Sequence, residues 1–418
     1  MSKKKSIQIF YGGFKFIKGG VNSHSISLKE EFKDKFNVSL ITLDDLSIFV
    51  RFLPHLVERI VNFFFLPLGF YYKGICTRIL FKLFFNNNCN YRIFEDIYIS
   101  WNSNVPSITM LHAVWSDNLQ KYKINKNDFE KLKKKEIEII NEINHPVCTV
   151  SNPYRQFIIN KHFSKKILKK ISIIELGINK FNKISKKISI PNSLIYVGSL
   201  ESRKNIFFLF KLFNKLYKIN QNYKLTIIGD GPDKKELIKY RNKNNLPIRF
   251  LGNKNQKEIF NELYKHEIYI HTSIKESFSL SLLEAKFSGL ITIAYKNLEV
   301  PKEFIDIGID NFDVNNWINK IIYRKKNKIN KINLKKYLLK NTAKKLLKKL
   351  NCYDLVDRSL ITKLTFKQLK IVKKKFKLPN KFILHVCHEN HKKEENYLTL
   401  IKAIKILKKE KFNIKLFI

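Results

Sequence analysis

Acidic residues are scarce in this chain: 35 Asp and Glu stand against 80 Lys and Arg, a formal net charge of +45 over 418 residues. Such a surplus ordinarily points to nucleic acid or an anionic membrane. Part of it reads as compositional, because the Lys comes with heavy use of Ile, Asn, Phe and Tyr, the set that A/T-rich codons favour. The remainder implies attraction to anionic lipid head groups, at roughly 1 kcal/mol per well-placed basic residue. Cysteine is also sparse. Cys76, Cys89, Cys148, Cys352 and Cys387 are odd in number, scattered and without C-x-x-C spacing, so neither a disulfide framework nor a zinc site follows, and a reducing cytoplasm fits best. No apolar h-region follows the charged start Met1-Ser2-Lys3-Lys4-Lys5. No apolar run approaches the ~20 residues a bilayer needs. The greasiest stretch, Ile60 to Tyr72, is interrupted by Asn62, Pro67 and Gly69. It reads as a buried helix pair, with an interfacial role left open by its aromatics.

What is present is a globular composition, 44% hydrophobic, with residues enough for two or more domains. Ser6 to Tyr11 reads as a strand, followed by the glycine-bearing turn Gly12 to Gly20, a helix through Ser27 to Phe36 and a strand Val38 to Thr42. A glycine turn at a helix start lets backbone approach a ligand closely. It is no dinucleotide fingerprint, because G-x-G-x-x-G is absent. Strands at Tyr91 to Phe94, Ser107 to Leu111 and Pro146 to Ser151, with helices between, extend this part into a parallel sheet.

A second alternating unit begins after the Lys-rich linker Asn179 to Lys187. Its strands are expected at Leu194 to Val197, Lys224 to Ile228, Ile248 to Leu251 and Glu267 to His271, with helices ending near Ile219 and spanning Lys234 to Asn242 and Gln256 to Tyr264. Polar loops fall at the strand C-terminal ends, where open α/β sheets bind ligands. Pro191-Asn192-Ser193-Leu194-Ile195-Tyr196-Val197 is echoed by Pro379-Asn380-Lys381-Phe382-Ile383-Leu384-His385-Val386. One strand-helix-strand unit cannot bury both its faces, so Leu378 to Ile418 is either a truncated second copy or an element docked elsewhere, and truncation is preferred. His385, Cys387, His388 and His391 lack the spacing of any common zinc site.

The richest chemistry lies between Glu267 and Gly289. A strand leads through a loop carrying Glu276 into an apolar helix carrying Glu284. The two carboxylates bracket a helix start, whose first N–H groups are unpaired and whose dipole end is positive. A phosphate resting on Ser279 and Leu280, with sugar hydroxyls donating to each Glu, describes a nucleotide-sugar pocket.

Taken in order, several pieces resemble the family-4 type (group 1) retaining glycosyltransferases over most of residues 6 to 350. They are Gly19-Gly20-Val21-Asn22-Ser23-His24, Ile108-Thr109-Met110-Leu111-His112, Val150-Ser151, Glu175-Leu176-Gly177-Ile178-Asn179, Val197-Gly198 with Arg203-Lys204-Asn205, Ile228-Gly229-Asp230-Gly231-Pro232, Phe250-Leu251-Gly252, and Glu276 with Phe278 and Glu284-Ala285 ahead of Gly289. The resemblance implies an α/β GT-B fold of two facing Rossmann-like domains: residues 1–185 on the acceptor side, 186–350 holding the nucleotide sugar, and 351–418 a partial, truncated repeat of a donor domain. It implies catalytic roles for Glu276 on donor sugar hydroxyls, His112 across the cleft and Lys204 as a point charge on the diphosphate. Gly19, Gly20, Arg203, Gly229, Ser279, Leu280 and Glu284 would bind the donor, Glu284 at the ribose. Ser199 replaces the Arg common after the strand-end glycine, Ser279 stands where Gly is common and Asn179 where Asp is common, and Cys387-His388-Glu389-Asn390-His391 replaces a phosphate-binding turn.

The activity this implies is retaining, hexosyl-type transfer from a nucleotide-diphosphate sugar to a glycan or lipid-linked acceptor, in cell-surface polysaccharide or lipopolysaccharide synthesis. No D-x-D triplet occurs, and neither a cofactor nor an obligatory metal is expected. The chain would work in the cytoplasm, with peripheral contact at the anionic inner face of the plasma membrane, and no nucleic acid is expected as a partner. Competing readings are a catalytically dead fragment of a larger glycosyltransferase and a basic nucleic-acid-binding protein using stretches such as Arg324 to Lys349.

Overall fold

Short apolar runs bounded by polar or glycine turns become strands buried on both faces when helices cover the sheet from each side. The computed structural model of the chain contains two such sheets. It describes residues 4–350 apart from 18, 65–67, 119–125, 162, 164–166, 168–169, 180–189 and 325–331. Residues 1–351 form one compact unit and residues 352–418 a second. The C-terminal echo, its Cys/His residues and most of the linker expected at Asn179 to Lys187 therefore lie outside the described residues.

The first sheet holds β1 (Ser6–Phe10), β2 (Asn37–Ile41), β3 (Tyr91–Phe94), β4 (Ser107–Leu111), β5 (Val147–Thr149) and β6 (Ile171–Ile173), in the order β2-β1-β3-β4-β5-β6. All its ladders are parallel, with Ile9 beside both Leu40 and Ile93. Helix α1 (Gly20–Phe32) begins directly after the glycine turn, not at Ser27 as expected. Its buried face is His24, Ser25, Leu28 and Phe32, the i, i+1, i+4, i+8 pattern that docks a helix on a sheet. That packing outweighs the weak helix preference of Gly20, Asn22 and Ser23.

Helices α2 (Leu53–Phe64) and α3 (Gly69–Phe85) pack together where the greasy stretch suggested a buried pair. Leu80 and Phe81 of α3 do enter the core beneath, with Phe10, Phe94 and Trp101. The outer faces are not buried, however: Phe63 is 83% and Leu83 73% exposed. Helices α4 (Trp115–Asn118), α5 (Lys126–Glu142) and α6 (Asn152–Lys161) complete this half.

The second sheet holds β7 (Ile190–Val197), β8 (Lys224–Ile228), β9 (Ile248–Phe250), β10 (His266–His271), β11 (Ile291–Tyr295) and β12 (Ile307–Ile309), in the order β12-β11-β10-β7-β8-β9. Read from its far edge, this is the 3-2-1-4-5-6 order of a dinucleotide-type sheet. Its ladders are also all parallel. Helix α7 (Ile206–Ile219) buries Leu209, Phe210, Leu212, Phe213 and Leu216 against it, and α8 (Lys234–Lys243), α9 (Gln256–Leu263), α10 (Leu280–Phe287) and α11 (Val314–Ile322) follow.

Helix α12 (Leu339–Lys349) then crosses back and packs on α1. The crossing is sewn by Ile178, whose N–H donates to the Tyr337 carbonyl (3.0 Å) and whose carbonyl accepts from Leu339 N–H (2.9 Å). Gly177 is required there, since a Cβ would lie 2.7 Å from the Leu338 and Leu339 backbone. The C-terminal edges of the sheets also meet: the Ser151 hydroxyl, just past β5, lies 2.8 Å from the Ser277 carbonyl and 3.1 Å from that of Glu299.

Candidate active site

In sheets of this order ligands settle beyond the strand C-termini, at the crevice where the winding reverses. In the second sheet that point lies between β7 and β10. The loop after β7 passes through a short 3-10 turn, Ser202–Lys204, to Asn205, which is left-handed at φ 52°. The loop after β10 ends at Ser279, the N-cap of α10, also left-handed at φ 66°. The two loops meet. Thr272 Oγ1 donates to the Lys204 carbonyl (3.1 Å), and Lys204 Nζ forms a short ion pair with Glu276. His271 Nε2 lies 3.2 Å from the same Glu276 oxygen, and the Tyr269 hydroxyl lies 3.2 Å from His271 Nδ1.

Burial alone would raise the Glu276 carboxyl, but Lys204, His271 and Arg203 outweigh it and hold it well below the usual carboxylate range. Burial and Arg203 depress the Lys204 ammonium against the pull of Glu276. Burial likewise depresses His271 although Glu276 opposes this, so a neutral imidazole with Nε2–H donating to Glu276 is the consistent tautomer. The result is a dry, fixed cation–carboxylate pair at the crevice.

Glu284 sits in the second turn of α10, 7% exposed, accepting from Gln256 Nε2 of α9 at 3.1 Å. Burial pushes its carboxyl up to about 7 despite that bond. Leu280 opens α10, whose first-turn N–H groups have no partner within the helix. Ser279 Oγ accepts from Leu282 N–H at 3.4 Å. The left-handed backbone at Ser279 accounts for the preference for glycine at this position in the family it resembles. Arg203 is half-exposed and bonded to Glu201 at 2.7 Å. Gly229, at φ 134°, closes the adjoining turn, where a Cβ would lie 1.9 Å from the Gly198 carbonyl oxygen.

The reversal in the first sheet lies between β1 and β3, and a second cluster stands there. Glu95 directly follows β3. Its Oε2 lies 2.6 Å from His112 Nε2, past β4, and 3.2 Å from His24 Nδ1 of α1. Burial would raise Glu95, but the His24 and His112 interactions hold it at about 2. Glu95 Oε1 and His24 Nε2 are buried without a hydrogen-bond partner among the described residues. The three side chains place one ligand atom each within 4.8 Å of the others, so this trio could gather a divalent cation. The hydrogen bonds between them already account for their convergence. Gly19 and Gly20, at the start of α1, are exposed with no atom within 4 Å of a notional Cβ, leaving open space beside the backbone.

The structure thus gathers Lys204, Arg203, Glu276, Ser279, Leu280 and Glu284 at one reversal point, and His112 with the start of α1 at the other. No hydrogen bond or ion pair among the described residues joins the two clusters. Sequence reasoning passed over Glu95, His24, His271 and Gln256. Glu95 and His271 stand at strand C-termini, a positional signal that was available, and His24 lies inside the Gly19 to His24 motif. Gln256 carried none.

Residues 178–345 match the family model described as glycosyl transferases group 1. A 106-residue stretch is 33% identical to the GtfA subunit of the UDP-N-acetylglucosamine–peptide N-acetylglucosaminyltransferase of Limosilactobacillus reuteri, covering 25% of this chain and 20% of that protein. Over 171 residues the chain is 25% identical to the gpi3 subunit of the phosphatidylinositol N-acetylglucosaminyltransferase of Schizosaccharomyces pombe, covering 39% and 36%. The chain spans about a fifth of the length of the first curated relatives it matches. Among solved structures, a mutant of S. aureus TarM in complex with Fondaparinux, alpha-GlcNAc-glycerol and UDP superposes with TM-score 0.58 at 15% identity, over 90% of this chain and all of that one. Anabaena HepE in complex with UDP and glucose gives 0.53 at 14% identity, over 85% and 99%. These likenesses establish the GT-B fold.

Proposed function

Residues 178–345 form a group 1 glycosyltransferase domain on a GT-B fold, and from that premise we propose that the chain transfers a sugar from a nucleoside-diphosphate sugar to a glycan or lipid-linked acceptor, with retention of configuration. The observation that carries the proposal is the buried Lys204–Glu276–His271 cluster at the reversal point of the second sheet, beside the N-terminus of α10. The diphosphate lies on the first-turn N–H groups of α10 and against Lys204. Glu276 and Glu284 accept hydrogen bonds from sugar and ribose hydroxyls respectively.

As the anomeric C–O bond breaks, negative charge grows on the departing phosphate oxygen. A fixed ammonium and a helix dipole in a dry site stabilise that charge without reorganising. The acceptor oxygen forms its bond on the face from which the diphosphate leaves, and its proton passes to the departing phosphate. His112, held by Glu95, faces the donor sugar from the first domain. Charge neutralisation by Lys204 and the helix makes a metal ion unnecessary in this scheme.

UDP-N-acetylglucosamine is the first donor to test, because the curated relatives are all named for N-acetylglucosaminyl transfer. Their named acceptors, a peptide and phosphatidylinositol, differ. We assign the acceptor here to a lipid-linked or glycan substrate of cell-surface polysaccharide or lipopolysaccharide assembly. The test is binding and hydrolysis of UDP-, GDP-, ADP- and dTDP-sugars with chelator present, for wild type and Glu276→Ala. One selected donor, turned over by wild type and not by the variant, is the expected result. No binding to any donor overturns the proposal and favours a catalytically dead fragment. Turnover that chelator abolishes overturns the metal-free mechanism alone.

A further inference from the structure

Among the described residues, most of the exposed large apolar side chains fall between Ile48 and Phe84. On α2, Leu53, Leu56, Ile60 and Phe63 recur at three- and four-residue spacing, and every one is at least 40% exposed. On its partner α3, Tyr72, Ile79 and Leu83 follow at seven- and four-residue spacing, with exposures from 42% to 73%. Phe49, in the turn leading into α2, is 92% exposed. Exposed apolar side chains gathered on two helices packed together mark an interaction face.

Charge says what covers it. Residues 47–84 contain Arg51, Arg59, Lys73, Arg78 and Lys82 against a single acid, Glu58, which Lys73 already neutralises at 2.7 Å. Arg59 and Lys82 are exposed beside the stripes. A face of phenylalanine and leucine edged by unopposed cations complements an anionic bilayer surface, the apolar side chains entering the acyl boundary and the cations remaining at head-group level. No described helix is long and apolar enough to cross a membrane, so this pair would lie in the interface.

The same helices touch the first-sheet half of the candidate site. Phe14, in the turn that leads to Gly19, stacks on His55 (centroids 5.6 Å) and contacts Phe52 (5.5 Å). Phe70 stacks on Trp115 (4.2 Å), three residues beyond His112.

We propose that the α2–α3 pair is a docking surface for anionic lipid, holding the mouth of the first-sheet cluster at the membrane. The proposal stands on the surface itself and does not require the catalytic reading to be right.

The experiment is flotation of the full chain with phosphatidylcholine vesicles containing or lacking phosphatidylglycerol. Wild type, Phe49→Ser/Phe63→Ser and Arg59→Glu/Lys82→Glu are compared, with folding checked by circular dichroism. Wild type should float with the anionic vesicles. The phenylalanine pair should lose at least ~10-fold in partition. The charge pair should lose at least ~25-fold at low salt, about fivefold per basic residue, and the difference should shrink as salt is added. Failure of wild type to float, or variants that float like wild type, would overturn the proposal. So would a wild-type dimer in solution that the phenylalanine pair dissociates, since the face would then be an interface between copies. Donor hydrolysis is measured without vesicles: a chain that floats but cleaves no donor loses only the catalytic proposal, and the converse loses only this one.

Discussion

Replacing Glu284 by glutamine should make the protein more stable at pH 8 and leave it unchanged near pH 4.5. The Glu284 carboxyl is almost fully buried, and one amide donor, Gln256, is too little to compensate it, so its pKa rises from 4.5 to about 7. Between those values the folded chain holds a proton that the unfolded chain has released. Stability attributable to this group therefore falls as pH rises across that window, and the cost is fully developed above it. At ~1.4 kcal/mol per pH unit, the cost at pH 8 is about 3 kcal/mol as an upper figure. Glutamine keeps the shape and can still bond to Gln256 while carrying no charge. Urea unfolding of wild type and Glu284→Gln at both pH values reads the difference directly, with the other titrating groups common to both proteins. An equal difference at the two pH values, or a less stable variant at pH 8, would refute the argument. The same proton bears on function. If ribose hydroxyls donate to Glu284, donor binding favours the carboxylate and releases up to about one proton near neutrality, visible in calorimetry as a dependence on buffer ionisation enthalpy.

Lys204→Ala should lower kcat roughly 10²- to 10³-fold, the loss typical of removing one fixed donor from a developing charge, and Lys204→Arg should restore part of it; single-turnover donor hydrolysis measures both. Glu95 acts through His112, so Glu95→Gln should lower kcat by more than it raises the donor KM and shift the pH profile of kcat. An unchanged profile would make the cluster merely structural. Because Glu95 is depressed to about 2 from 4.5, it contributes stability above pH 4.5 that is lost as pH falls toward 2, and Glu95→Gln should flatten acid unfolding over that range. Ser279→Gly should stabilise the fold by about 1 kcal/mol in urea, because glycine enters the left-handed region without the Cβ cost and the 3.4 Å cap it forfeits is weak.

Strand signals are legible in the sequence where they are local. Tyr91–Phe94, Ser107–Leu111 and Lys224–Ile228 are apolar runs bounded by polar turns, and they form strands over the expected residues. Short strands are another matter: Ile171–Ile173 and Ile307–Ile309 have too few residues for a pattern and owe their form to the neighbours they pair with. Ile291–Tyr295 alternates apolar and polar residues over its first three positions and carries a local strand signal of its own. Nothing local announces that α12 returns to α1. The bonds that hold it, Thr342 Oγ1 to the Glu175 carbonyl at 2.8 Å and Lys345 to the Glu175 carboxylate, join residues more than 160 positions apart. At the site, Lys204 and Glu276 could be singled out by their loops, but their contact depends on the adjacency of β7 and β10, a feature of topology. Glu95 carried the local signal of a strand end, but its pairing with His24 and His112 depends on topology in the same way, since the histidines arrive from α1 and from the loop after β4.

The contact at Ser151 connects these two kinds of information. Its hydroxyl has one proton and faces two carbonyls, of Ser277 and Glu299, while its oxygen accepts from Tyr154 N–H at 3.1 Å. Ser277 directly follows Glu276. The first sheet therefore grips the second through the very loop that carries the carboxylate against Lys204. A rotation that separates Ser151 from Ser277 would break these bonds and pull on the Glu276 loop. The pairing of Lys204 with Glu276 is in this way linked to the first sheet through Ser151, although no direct bond among the described residues joins it to the first-sheet cluster. A donor anion competing for Lys204 would act on the same loop from the other side.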